Sequence, residues 1–487
     1  MATEKSHGHN SFKHLLSPIK IGPIEVKNRI ALAPMNETMS DGHGQVTEQL
    51  LSYYAARAKG GTGLVITGAV MGTKLGSQFV WGRNMHCFND GHGQGMTLLS
   101  DRIHYFGAKA CIQLSVGFGR QGHTYEEDVL VPAASANVPY EITADRMMKN
   151  MPKAMAGSER GRQWLIGPMT RELTISEIHH EQKEFANSAQ LAVICGFDAI
   201  EIHAPHGYLE HQFLSPLTNR RTDYYGGPWR NRKRFLNEVM EQVRYACPGV
   251  AVGVRISAEE HVEGGLTREE MIDLAQDLEA RGADYISLSD GGGYEELTHL
   301  IPTKEIAQHF PETGADFKAV LKIPVMIPSQ HDAVKADQDI AAGKFDVSAL
   351  GRQLLCDPEY ANKLAAGRQE DIDKCARCNT CILRALARTS MACPNNPWLG
   401  REYADPSLML GPFQKHEHLI PPGWEAGLPA LDRPWWHSEI PMARQHFRPF
   451  RGPGAEPKLG MLGPTKNLGS GPTQSLTQVL GKCEETD

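Results

Sequence analysis

The chain has 487 residues, 53.7 kDa, with 50 Lys and Arg against 57 Asp and Glu, a formal charge of −7 and a sequence pI of about 6.3. Apolar residues make up 41% and charged residues 22%; this excludes a mainly disordered chain, and the mildly acidic balance argues against a general nucleic-acid binder. No run approaches the ~18 consecutive apolar residues of a membrane span, and the polar start MATEKSHGHNSFKHLL has no apolar signal-peptide stretch, so a cytoplasmic protein is expected.

Taken in chain order, eight short runs are apolar and rich in β-branched residues, the pattern of strands buried on both faces. They are Asn28–Met35, Gly63–Val70, Ala108–Ser115, Phe197–Ala204, Gly249–Ser257, Ala283–Gly291, Ile323–Ser329 and Phe345–Arg352. Helix-like stretches separate most of them. Thr47–Lys59 is one, and Thr174–Cys195 and Thr267–Arg281 both open on a Thr-x-x-Glu capping pattern. Ile340–Lys344 carries the helix-stopping Gly343. Eight strands alternating with helices predict an α/β chain, a (β/α)8 TIM barrel over residues 1–370. A doubly wound sheet is the competing fold, disfavoured because no Gly-x-Gly-x-x-Gly turn follows the first strand.

Residues 121–168 form a Met- and Arg-bearing excursion between strands three and four, expected to act as a lid or extra subdomain. Residues 404–487 are rich in Pro and Gly and are expected to be an extended tail, with Trp424, Trp435 and Trp436 packing part of it onto something.

In a barrel of this kind, functional groups lie at the C-terminal strand ends. Gln113, His203, Arg255 and Gly351-Arg352 stand at four of those ends, and His206 and Tyr208 follow His203 closely. Any one alone reads as a satisfied core polar group; together on one face they read as a site. Ten cysteines are present, and four crowd into Cys375-x2-Cys378-x2-Cys381-x11-Cys393 between residues 371 and 403. Four thiolates can hold zinc or a 4Fe-4S cluster, and the close triple run suits the cluster better than paired zinc knuckles. The remaining cysteines read as structural, as for Cys111 and Cys195 in apolar runs.

The run EIHAPHGYLEHQFLSPLTNRRTDYYGGPWRNRKRF (Glu201–Phe235) resembles the signature of the old yellow enzyme family of FMN oxidoreductases, in particular the branch of 2,4-dienoyl-CoA reductase and trimethylamine dehydrogenase. NRIALAPMNETMSDGHGQVTEQLLSYYAARAKGGTGLVI, Val254–Ser257 and ALGRQLLCDPEY agree, and the similarity covers about residues 12–403. The resemblance implies FMN at the barrel mouth. Pro34, Met35 and Asn36 would lie along the isoalloxazine with Ala69 beside it, Gln113 at the pyrimidine edge and Arg255 by N1 and O2. Gly351, Arg352 and backbone near Ser329 and Gln330 would hold the phosphate. His203 and His206 would polarise a substrate carbonyl, and Tyr208 would protonate Cα as general acid. The same branch carries a 4Fe-4S cluster after strand eight, on the positions of Cys375, Cys378, Cys381 and Cys393.

This chain departs from the family at Ser329, where Gly is usual. It also departs at Asp290-Gly-Gly-Gly-Tyr294, where the dienoyl-CoA reductases place a His, and at QLSVGFGR, where Ser and Val stand in a loop that commonly holds one. The expected function is an FMN- and 4Fe-4S-dependent ene-reductase acting on an enoyl-CoA, enone or enoate. The alternatives are an amine or related dehydrogenase, whose relatives carry Tyr where His203 stands, and a non-catalytic electron-transfer subunit. The sequence shows no C-terminal FAD and nicotinamide-nucleotide motif, so a separate ferredoxin or flavoprotein partner is expected, and a homo-oligomer by analogy with the branch.

Overall fold

The computed structural model describes residues 12–80, 82–124, 128–141, 166–293, 310–329, 331–386 and 389–408. Eight parallel strands form the frame: β1 (Ile30–Leu32), β2 (Leu64–Ile66), β3 (Lys109–Ser115), β4 (Ala199–His203), β5 (Ala251–Ser257), β6 (Tyr285–Ser289), β7 (Val325–Pro328) and β8 (Val347–Leu350). Each pairs with its sequence neighbours, β8 pairs with β1, and β2 pairs with β3, so the sheet closes on itself. The expected barrel is present, with each strand inside its predicted run. The runs are longer than the strands because their last residues leave the ladder to line the mouth. In the second run the chain breaks at Thr67, and Val70–Met71 makes a separate two-residue strand against the end of β3.

Closure explains the apolar runs, because every residue of β4, β5 and β6 is buried between the barrel interior and the helices. One core fills the interior with small and large side chains, among them Ala31, Ile66, Ala199, Tyr285 and Met326, and includes Ile19, Ile21 and Val26 from an N-terminal hairpin. The larger core lies between strands and helices. Gly253 is required in the barrel interior: a Cβ would stand 2.1 Å from the Tyr285 ring.

The helices begin where their caps predict. Thr47 caps α1 (Glu48–Lys59) by accepting from Leu50 N–H. Full capping boxes, Thr174 with Glu177 and Thr267 with Glu270, open α2 (Ile175–Ile194) and α3 (Arg268–Ala280), each worth about 1 kcal/mol. The helix Ala333–Ala341 ends just before Gly343, whose φ is +74°. Of the 121–168 excursion, Val131–Ala133 pairs in parallel with Thr170–Glu172, just past its end, while 142–165 lie outside the described residues. Gln330, Tyr294 and the tail from 409 onward also lie outside them. No helix among the described residues is long and apolar enough to cross a membrane.

Candidate active site

The loops after β1 and β2 make a floor at the barrel mouth. Pro34, Met35, Asn36 and Ala69 are each only partly buried. Glu37 beneath them is buried, and the Tyr54 hydroxyl from α1 donates to its Oε1 over 2.7 Å while accepting Gly68 N–H over 2.8 Å. A Cβ on Gly68 would stand 2.0 Å from the Met35 carbonyl oxygen and 2.2 Å from Glu37 Oε2, so only glycine lets the two loops meet. Burial pushes the Glu37 carboxyl up to about 7 against the Tyr54 hydrogen bond.

One side of the mouth is a polar ladder from β3, β4 and β5. Gln113 Nε2 donates to Glu201 Oε1 over 2.6 Å, and the Tyr285 hydroxyl donates to Glu201 Oε2 over 3.0 Å. With its nitrogen committed, Gln113 can present its carbonyl oxygen to an N–H of a ligand. Burial raises the Glu201 carboxyl, and the Arg255 charge opposes that rise. Arg255 Nη1 lies 3.5 Å from the Pro34 carbonyl and Nη2 donates to Ser289 Oγ over 3.3 Å, while its buried Nε has no protein partner.

The three residues of the strand-four motif come together. Ring centroids of His203 and His206 are 5.2 Å apart, those of His203 and Tyr208 5.2 Å, and those of His206 and Tyr208 6.3 Å. His203 is buried, and neither of its ring nitrogens has a protein partner; this is a costly arrangement unless a ligand completes it. Burial, followed by the nearby Arg255 charge, holds His203 well below the ordinary histidine range. His206 is likewise lowered by burial and then by His203, so both rings are neutral. His206 Nε2 lies 2.6 Å from Ser289 Oγ. Arg255 can only donate, so Ser289 accepts there and can pass its own hydrogen to Nε2, leaving Nδ1–H as the His206 donor.

The turn that presents these rings is strained and held on both sides. His206 and Gly207 have φ of +67° and +72°, and a Cβ on Gly207 would lie 2.3 Å from the Gly292 carbonyl oxygen. Gln121 Nε2 donates to the His206 carbonyl over 2.6 Å, and Gln212 Nε2 to that of Gly207 over 2.7 Å. Phe118 meets the Tyr208 ring edge-on at 4.6 Å. At the end of β6, His261 from the β5 loop reaches Asp290 Oδ1 over 2.7 Å, and that bond raises the His261 pKa.

At the opposite side of the mouth, after β7 and β8, Ser329 has φ of +71°, the left-handed conformation that favours glycine. The substitution therefore keeps a glycine-like backbone path. His331, which sequence reasoning missed, stands near Arg352 and Arg377; burial and those charges push it down to about 4, and its Nδ1 has no protein partner. Gly351 begins the short helix α4 (Arg352–Cys356). Arg352 faces the cysteine loop, where Nη1 donates to Asn379 Oδ1 over 2.5 Å.

All four predicted cysteines line one small pocket together with Arg352, Leu355 and Asn379. Cys381 is buried, Cys375 and Cys393 are half-buried, and Cys378 is exposed. A tetrahedral zinc, with Zn–S of about 2.3 Å, would need its sulfurs about 3.8 Å apart. No three of these cysteine sulfurs lie within 4.8 Å of one another. Among the described residues, the only cluster that tight is His180, Glu181 and Glu184 on α2, away from the cysteine motif.

Residues 14–371 match the NADH:flavin oxidoreductase / NADH oxidase family. The chain belongs to that family. An NADH oxidase of Thermoanaerobacter brockii is 33% identical over 434 residues, covering 87% of this chain and 62% of the relative. A cinnamate reductase of Clostridium sporogenes is 33% identical over 417 residues, covering 81% and 59%. The solved 2-naphthoyl-CoA reductase in complex with 2-naphthoyl-CoA superposes with a TM-score of 0.71 at 28% identity, covering 81% of this chain and 58% of that one. The chain thus spans about three fifths of the length of these relatives. The matched residues span the whole (β/α)8 barrel and its mouth.

The residues present fit the family's FMN. A flat ring system would rest on Pro34, Met35, Asn36 and Ala69, with Gln113 and Arg255 at its polar edge. The unpartnered nitrogens of Arg255, His203 and His331 ring the same mouth. Ser289, Gln121 and His331 carry no motif signal; they are found only when the barrel brings distant loops together.

Proposed function

We propose that this chain is an ene-reductase that holds FMN and a 4Fe-4S cluster and saturates an α,β-unsaturated carbonyl compound, an enoyl-CoA, enone or enoate. The observation that carries the reading is His203, buried with both ring nitrogens unpartnered, grouped with His206 and Tyr208. When bound, FMN supplies hydride from N5. His203 and His206, as neutral N–H donors, hold the substrate's carbonyl oxygen and polarise the alkene, so that negative charge developing on that oxygen is stabilised. Tyr208 then gives its phenolic proton to Cα, with Phe118 fixing the ring. Arg255 keeps positive charge at the polar edge of the floor, and Glu201 and Ser289 orient the groups around it.

Relatives named for cinnamate and 2-naphthoyl-CoA reduction support a conjugated acyl substrate. A pair of neutral imidazoles suits an oxygen acceptor; no feature of the site favours an amine substrate or a purely electron-carrying role. The close Cys375-x2-Cys378-x2-Cys381 run, joined by Cys393 in the lining of one pocket, supports a cubane over zinc. With Cys378 exposed, single electrons from a ferredoxin or flavoprotein partner would enter on that side.

The test is anaerobic purification followed by flavin, iron and sulfide quantification, then a substrate panel: enones, enoates and enoyl-CoA esters with a reduced viologen donor, and amines with an oxidised ferricenium acceptor. The reading expects about one FMN and four irons per chain, and alkene saturation in D2O with solvent deuterium at Cα. A colourless zinc protein, or oxidation of amines with no alkene reduction, overturns it.

A further inference from the structure

Outside the barrel mouth, α2 carries a group of metal-type donors that the proposed reaction does not use. One ring nitrogen of His180 and one carboxylate oxygen each of Glu181 and Glu184 lie within 4.8 Å of one another. His180 and Glu184 are one helical turn apart and share a face, with His180 Nε2 3.5 Å from Glu184 Oε1. A zinc ion held at about 2.1 Å by imidazole nitrogen and carboxylate oxygen, at the tetrahedral angle, needs donor atoms about 3.4 Å apart. The pair already stands at that spacing.

Glu181 is the residue that calls for a ligand. It is 3% exposed, and its Oε2 has no hydrogen-bond partner. The Thr73 hydroxyl beside it donates to the Val116 carbonyl over 2.9 Å, so that hydrogen is spent elsewhere. Among the described residues, no Lys or Arg side chain pairs with Glu181 or Glu184, and the ion pair shown is the one to His180. Burial pushes the Glu181 carboxyl up to about 7. A buried, unpaired carboxylate is costly, and a cation beside it removes that cost.

The donors stand on a fixed frame. The second oxygen of Glu184, Oε2, accepts Lys74 N–H over 3.1 Å, which leaves Oε1 facing His180. One turn further on, Ser188 Oγ donates to the Gly72 carbonyl over 2.6 Å, so α2 is docked on the segment Gly72–Lys74. His180 is exposed and Glu184 half-buried, so the outer side is open for water to complete a coordination shell. We propose that His180, Glu181 and Glu184 form a divalent-metal site of the zinc class that fastens α2 at its seam with Gly72–Lys74. One imidazole, two carboxylates and a water are a donor set that zinc accepts. The site is separate from the flavin and cysteine sites, and the inference does not rest on either reading.

The experiment dialyses anaerobically purified full chains against zinc ions: wild type, His180→Ala, Glu181→Gln and, as control, the neighbouring His179→Ala. Bound zinc is counted by mass spectrometry. Zinc taken up by the cysteine pocket is common to all four proteins, so the differences report this site. The proposal expects wild type and H179A to bind one zinc more per chain than H180A and E181Q, whose affinity at the site falls by at least about tenfold. Equal zinc in wild type and H180A overturns it. So does an equal loss in H179A, which would be general binding along the helix surface. Loss in H180A with full retention in E181Q also overturns it, because the buried carboxylate would then play no part. Zinc-edge anomalous scattering from zinc-soaked wild-type crystals reads the site even if E181Q does not fold: a peak among the three side chains is expected, and its absence overturns the proposal.

Discussion

Arg352 Nη1 and Asn379 Oδ1 are 2.5 Å apart, and that bond joins the helix after β8 to the cysteine loop. Asn379 and Arg377 both hold positive φ, +59° and +53°, so the loop is shaped by a turn that Arg352 braces. With the phosphate role expected of Arg352, one guanidinium would serve two sites. Replacing Arg352 with Met removes a charge-assisted contact of about 1.5–3 kcal/mol, so FMN binding weakens by roughly 10- to 100-fold. Iron occupancy falls in the same protein because the turn loses its brace. Fluorescence titration of FMN into deflavinated protein, with iron assay, reads both; an FMN affinity within twofold of wild type would remove Arg352 from the phosphate site.

Tyr208→Phe keeps the ring that packs on Phe118 and deletes the proton donor. Flavin content and substrate binding remain, while turnover on an enone falls by about 10²- to 10⁴-fold. Stopped-flow spectroscopy separates flavin oxidation from product release. A native rate of alkene saturation in this variant would assign the proton to another group, with the nearby His206 as the first to examine.

The barrel was readable because a strand buried on both faces writes its own apolar run, and because Thr174 with Glu177 and Thr267 with Glu270 announce helix starts locally. The mouth was readable where one contiguous motif carried it, as for His203, His206 and Tyr208. Its supporting partners were not. Ser289 reaches His206 across 83 residues of chain, and Gln113 reaches Glu201 across 88; no local periodicity encodes such pairings. Ser329 shows the opposite case, where a residue-level departure from the family leaves the backbone conformation intact.

Glu37 gives the protein a pH signature. Its folded carboxyl is pushed up to about 7 by burial, from an ordinary value of 4.5. Between those values the folded state holds more protons than the unfolded one, so stability falls as pH rises. Relative to wild type, Glu37→Gln should therefore be equal below about pH 4.5 and gain progressively to pH 7, by at most roughly 3 kcal/mol. Thermal unfolding of both proteins from pH 4.5 to 8 measures the difference. A constant offset across that range would show that Glu37 does not titrate in the folded state.

The segment beyond the cysteines is locked to the barrel by a buried ion pair. Arg57 Nη1 of α1 lies 2.5 Å from Glu402 Oε1, with the two side chains 0% and 5% exposed. Arg57 also donates to the carbonyls of Tyr53 and Leu354, the latter on α4, and Glu402 Oε2 accepts Gly400 N–H over 2.8 Å. Removing one partner strands a buried charge, a loss of about 3–5 kcal/mol. Glu402→Ala should lower the unfolding temperature by several degrees and, because the chain after Cys393 loses its anchor on α1, speed iron loss to a chelator by up to about 100-fold at 3 kcal/mol of local opening. Glu402→Gln, whose single amide oxygen keeps the bond from Arg57 or the one from Gly400 N–H but not both, should fall between. Chelator-driven bleaching timed against thermal unfolding decides the point: an E402A protein that is destabilised but releases iron at the wild-type rate would uncouple this pair from the cysteine site.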